Sequence, residues 1–148
     1  MREPKTNPKL DSIGTASEWG RRLAAHWRGR GESNPFLLAA RLGWRVILEH
    51  EEACRSLPLR MAEWDGSGRT IRIFVPILRR YLGDSAPALY RACAHELFHG
   101  LAACQYRVLQ LPAALIPALS YRDEETAAQA FSQALLLEEK SCPPSASC

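Results

Sequence analysis

Several features that would place this chain of 148 residues in a familiar class are missing from it. No stretch stays apolar for the roughly 20 residues that a bilayer crossing needs, so no membrane span is expected. Met1 to Leu10 is polar, carries two prolines and lacks the apolar centre of a secretory leader. The five cysteines are odd in number and form no C-x-x-C pair, a pattern of free thiols in a reducing compartment. Cys93 and Cys104, three turns apart on one helical face, would stand about 16 Å apart, too far to bridge. Cys142 and Cys148, close together in a Ser- and Pro-rich tail, would join only under oxidation. The expected location is the cytoplasm.

Apolar residues make up 47% and charged residues 24% of the chain, proportions of an ordinary globular domain, and the length suits one domain without staples. Residues 1–16 read as a disordered lead, 17–140 as the domain and 141–148 as a flexible tail. Residues 1–45 carry nine Lys and Arg against four acids. A solvated basic surface explains this excess more simply than a nucleic-acid site.

The informative stretch is Ala94-His95-Glu96-Leu97-Phe98-His99-Gly100, an H-E-x-x-H pattern. From 4 His and 12 Glu, about 0.01 such matches are expected by chance. On a helix, residues four apart stand above one another, so His95 and His99 can turn ring nitrogens toward one ion. Zinc takes such nitrogens at about 2.0–2.1 Å, and a catalytic zinc keeps one place for water. Water bound there drops in pKa from about 15.7 to about 7, and Glu96, one step round the helix, can take its proton. Between Ala86 and Cys104 the clearly polar side chains besides Tyr90 are Arg91, His95, Glu96 and His99. A helix so apolar is buried, and buried ionisable groups need partners or a metal. The alternative is two histidines satisfied by core hydrogen bonds, with Glu96 paired to Arg91.

Around this stretch the expected elements are helices and a small sheet. Ser17 reads as the cap of a helix to about Arg28, with Trp19, Leu23 and Trp27 on one face. Asn34 caps a second helix that has Pro35 at its first position and Gly43 past its end. Only two turns long, this helix is a poor DNA reader, and its apolar residues favour packing. Trp44 to Glu49, Arg60 to Trp64 and Arg69 to Val75 alternate as strands, the last two joined through Asp65-Gly66-Ser67-Gly68 as a hairpin, giving three antiparallel strands. A helical turn over Pro76 to Leu82 precedes the central helix, capped by Asp84 or Ser85. Gln105 to Ser120, apolar with two prolines, is expected to be an irregular cover. A last helix runs from Tyr121 or Asp123 to about Lys140, its inward face made by Glu125, Ala128, Phe131 or Ser132, and Leu135.

A third metal ligand must come from elsewhere, and no His follows His99. His26 and His50, on a surface helix and at a strand end, read as ordinary. Asp123, Glu124, Glu125, Glu138 and Glu139 remain. Glu125 is favoured because it shares the apolar face with Ala128, with Glu124 next in line. Ala127 and Ala128 are small enough for two helices to approach closely.

Across about Asn34 to Leu137 the chain resembles the ImmA/IrrE metallo-endopeptidases. Asn34-Pro35, Ala39, Leu42-Gly43 and Val46 match an N-P-x-x-x-A-x-x-L-G-x-x-V segment. Gly68, Ile71 and Ile73 match its glycine-led strand, Ala94 to His99 its A-H-E-L-x-H segment, and Glu125, Ala128, Phe131, Leu135 and Leu136 part of E-x-x-A-N-x-F-A-x-x-L-L-M-P. The resemblance implies an α+β, zincin-like fold in which a small antiparallel sheet packs on a buried H-E-x-x-H helix, followed by a C-terminal ligand helix. It implies zinc on His95, His99 and Glu125, with Glu96 as general base, although the His, His, Glu set also accepts manganese. It further implies cleavage of a protein partner, typically a helix-turn-helix repressor of the XRE type, without direct contact to nucleic acid or membrane. Tyr106, Tyr121 and Arg91 are the candidates for stabilising the oxyanion. Phe98, Gln129 and Leu137-Glu138 depart from the family pattern, and the changes at Phe98 and Gln129 motivate a second expectation, a non-catalytic zinc-containing antirepressor or protein-binding module.

Overall fold

In the computed structural model, residues 15–51, 60–83, 85–104 and 119–137 are described. The greater part of the expected lead, the cover over 105–118 and the tail over 141–148 lie outside them. Most helices start where the sequence offers an oxygen to the free amides of a first turn. Thr15 Oγ1 accepts from the Glu18 amide at 3.2 Å and opens α1 (Ala16–Arg28), two residues before the expected cap at Ser17. Both residue types cap well, and Thr15 leaves Ala16 buried within the helix. Asn34 caps α2 (Pro35–Arg41), and Gly43, at φ 77°, turns the chain into β1 (Arg45–Glu49). β2 (Ala62–Asp65) and β3 (Thr70–Phe74) form the expected hairpin, and Asp65 Oδ1 accepts from the Ser67 amide inside its turn. Then follow α3 (Val75–Leu82), α4 (Ala86–Ala103), capped by Ser85, and α5 (Tyr121–Leu136), capped by Ser120. α5 stops short of Lys140 because Leu137 adopts the left-handed conformation at φ 53°.

The sheet corrects one expectation. Its order is β1-β3-β2, with β2 antiparallel to β3 but β1 parallel to it, so the sheet is mixed rather than antiparallel. β3, whose Thr70, Ile71, Ile73 and Phe74 are all buried, takes the centre, the position that hides a strand most completely. The connection after β1 is long enough for the crossover that a parallel pair requires, whereas a short hairpin is not.

Two seams hold α4 and α5. α4 packs its Leu97, Phe98 and Leu101 into the single core of the described residues, each such side chain worth about 1.5–3 kcal/mol of burial. Phe98 meets Phe131 of α5 with ring centroids 5.5 Å apart. Trp44 and Trp64, at 4.6 Å, close over Gly100, where a Cβ would stand 2.7 Å from the Trp44 ring. On its other side α5 lies against α1 almost backbone to backbone, for a Cβ on Gly20 would stand 2.2 Å from the Ala127 carbonyl oxygen. Arg28 Nη1 then donates to the Leu135 carbonyl at 2.6 Å, serving one of the free carbonyls at the end of α5. The small Ala127 therefore serves the α1 seam, while Ala128 and Phe131 join the core with α4. The result is an α+β chain of five helices and a three-stranded sheet among the described residues, none of whose helices is long and apolar enough to cross a membrane.

Candidate metal centre

His95 and His99, one turn apart on α4, face the first turn and a half of α5 across a cleft of about 750 Å³. Their Nε2 atoms are 3.3 Å apart. Glu125 straddles both: one carboxylate oxygen is 3.2 Å from His95 Nε2 and the other is 2.8 Å from His99 Nε2. Ligand atoms of His95, His99 and Glu125 all lie within 4.8 Å of one another, an arrangement that could hold a metal ion. Burial, and next the neighbouring His99, holds the His95 imidazole below its ordinary pKa against the pull of Glu125. A neutral ring is the form that offers a lone pair.

Glu96, one residue on from His95, lines the same cleft. Burial pushes its carboxyl up to about 7, opposed by the attraction of His99 and reinforced by the negative charge of Glu125. Glu124 accepts from His99 Nδ1 at 2.7 Å, a short charge-assisted bond on the edge of the ring opposite Nε2. Adjacent residues on a helix point about 100° apart, which is why two neighbouring acids reach the two edges of one imidazole.

The residues singled out from sequence fare unequally. His95, His99 and Glu125 stand together, and Glu96 lines the same cleft. Glu124, the second choice for third ligand, stands on the outer nitrogen of His99 instead, a role the sequence reading missed. Asp123 is not in the group. Glu138 and Glu139 lie outside the described residues, as does Tyr106. Arg91 lines the cleft, and so does Tyr121, which is 81% exposed. His26 sits on α1 and His50 follows β1 in the open, both away from the group. Phe98, the family departure nearest the motif, is buried on Phe131 and belongs to the core, whereas Gln129 lines the cleft. Also missed was the far wall: Met61 before β2 and Leu78, Tyr81 and Leu82 of α3 face the histidines across the opening. A helical turn with exposed apolar residues was the available signal, and Tyr81 is 62% exposed.

Comparison with protein-family models, with curated proteins and with solved structures returns no match.

Proposed function

We propose that this chain is a zinc-dependent endopeptidase with a zincin-like site, acting in the cytoplasm on a protein partner. What carries the reading is the meeting of His95, His99 and Glu125 at one point, with the Glu96 carboxyl in the same cleft. Two nitrogens bonded to one tetrahedral ion at about 2.0–2.1 Å stand about 3.3 Å apart, and the His95 and His99 Nε2 atoms are separated by 3.3 Å. The residues therefore fit zinc, and the same set suits manganese. A zinc ion held there would supply Lewis acidity, drawing electron density from the scissile carbonyl and acidifying a water beside Glu96. Glu96 takes a proton from that water as its oxygen adds to the scissile carbonyl carbon, and returns it to the amine nitrogen as the C–N bond breaks.

The cleft suits an extended segment. β2 is an outer strand whose second edge has no strand partner among the described residues, and Met61 to Trp64 line the opening. A substrate pairing with that edge lays alternate side chains against the apolar wall of Met61, Leu78, Tyr81 and Leu82. The resemblance to the ImmA/IrrE enzymes names the substrate class, a helix-turn-helix repressor. A second reading is a zinc-containing antirepressor that binds its partner without cleaving it, and Gln129 in the cleft is the departure that favours it. Zinc content and cleavage of a co-expressed repressor separate the two. In the first reading Glu96→Ala keeps about one zinc per chain and loses cleavage, and His95→Ala loses both. Cleavage by Glu96→Ala at the parent rate would sink the mechanism, while an intact partner released from repression selects the antirepressor.

A further inference from the structure

We infer that Glu124 is a positioning residue for the metal site, fixing the ring of His99 and leaving its Nε2 free for the ion. This assignment rests on the metal-binding part of the reading above. The observation is the Glu124 carboxylate 2.7 Å from His99 Nδ1, while Glu125 stands 2.8 Å from Nε2 of the same ring. A carboxylate only accepts, so the Glu124 contact calls for a proton on Nδ1, and with an ion held between His95, His99 and Glu125 the Nε2 lone pair is the one left to bind it. The bond also stops the ring from turning about its Cβ–Cγ axis, and the negative charge makes Nε2 a better donor. The His99 side chain is 14% exposed and that of Glu124 29%, so water competes little for the bond.

Burial strengthens the argument. Next to His99 in the α4 sequence, Leu97, Phe98, Gly100 and Leu101 are buried and offer Nδ1 no side-chain acceptor. Glu96, one turn back on the same cleft, makes no hydrogen bond to His99 among the described residues, and the partner of Nδ1 comes from α5. His95 is held differently: its polar contacts among the described residues are all made at Nε2, with Glu125 and His99. Of the two ligands on α4, His99 is thus the one whose ring orientation depends on α5 twice, through Glu124 and Glu125.

The test uses the full chain and zinc alone, with affinity measured by competition against a chromophoric chelator. Glu124→Ala should bind zinc about 10–100-fold more weakly, the usual loss when the partner of a metal-bound histidine is removed. Glu124→Gln, whose amide oxygen still accepts from Nδ1, should recover part of that loss, and Glu125→Ala should lose more than either. In a nitrogen-15 histidine spectrum, the His99 Nδ1 proton should exchange slowly in the parent and in Glu124→Gln but not in Glu124→Ala. Circular dichroism confirms that each variant folds. Parent-like affinity in Glu124→Ala overturns the assignment. A loss equal to that of Glu125→Ala, with no recovery in Glu124→Gln, overturns it also, since Glu124 would then be a ligand. A parent that binds zinc yet cleaves nothing sinks the peptidase reading and leaves this assignment standing. A parent that binds no zinc sinks the metal site, and slow exchange at His99 Nδ1 then still decides whether Glu124 holds the ring.

Discussion

The two long sides of α5 are built on opposite principles. Toward the cleft it presents Glu124 and Glu125, partly exposed carboxylates whose value lies in what they hold. Toward α1 it presents Ala127 and bare backbone, fitted so closely to Gly20 that a methyl group has no room. The first side is a carboxylate edge in contact with water, and at Gly20 the second is backbone set close against backbone. One helix carries both sides, so the close fit of Ala127 on Gly20 also sets where Glu124 and Glu125 stand. Stability and chemistry are thus divided between faces rather than between segments of chain.

Breaking the dry face should have the largest effect on stability. Gly20→Ala drives a Cβ into the Ala127 carbonyl, which cannot move without moving α5, and should cost about 3 kcal/mol. At about 2–4 °C per kcal/mol for a chain of this size, the thermal midpoint falls by about 6–12 °C, and an unchanged midpoint would refute the seam. Breaking the wet face should cost somewhat less. At a free zinc concentration 100 times its Kd, the ion adds about 2.7 kcal/mol, and chelation should remove that amount from the parent. If α1 fixes the carboxylates, zinc raises the midpoint of Gly20→Ala by less than it raises the parent's. Equal increments would show the two faces to be independent. Gly100→Ala should cost about 1–2 kcal/mol, less than Gly20→Ala, because its Cβ meets the Trp44 ring rather than backbone.

The smallest effect concerns pH. Burial, and then the charge of Arg30, holds His26 on α1 below its ordinary value of 6.5. Its Nε2 is buried without a hydrogen-bond partner among the described residues, so the folded chain resists the proton that the unfolded chain accepts. A depressed folded pKa makes stability fall as pH drops through 6.5, with nothing lost above it. His26→Gln should flatten denaturant midpoints between about pH 7 and about pH 5. A slope equal to the parent's would assign the acid sensitivity to other groups.

The catalytic candidates were legible because their chemistry is written at helical spacing: His95 and His99 share a face whatever surrounds them. Glu125 was legible from its place beside Ala128. Which of two adjacent acids reaches which nitrogen was not, since a rotation of α5 by part of a turn exchanges Glu124 and Glu125. That rotation is set by Gly20, some hundred residues earlier, and no local pattern carries it. Strands were readable from alternation in Arg45–Glu49 and Thr70–Phe74, but alternation is the same in a parallel and an antiparallel partner, so the place of β1 was lost. The end of α5 was misjudged for a different reason: Leu137 turns left-handed without the glycine that usually announces such a turn.

The contact of Arg28 with Leu135 joins the earliest described helix to the latest. On a ribosome, therefore, His95 and His99 emerge well before either Glu125 or the wall of α5 that seats against Gly20. A chain cut short before residue 121 carries His95 and His99 without Glu125, and the α1 face that seats α5 is bare. His95, His99 and Glu125 can therefore meet only after α5 has been made and seated on α1.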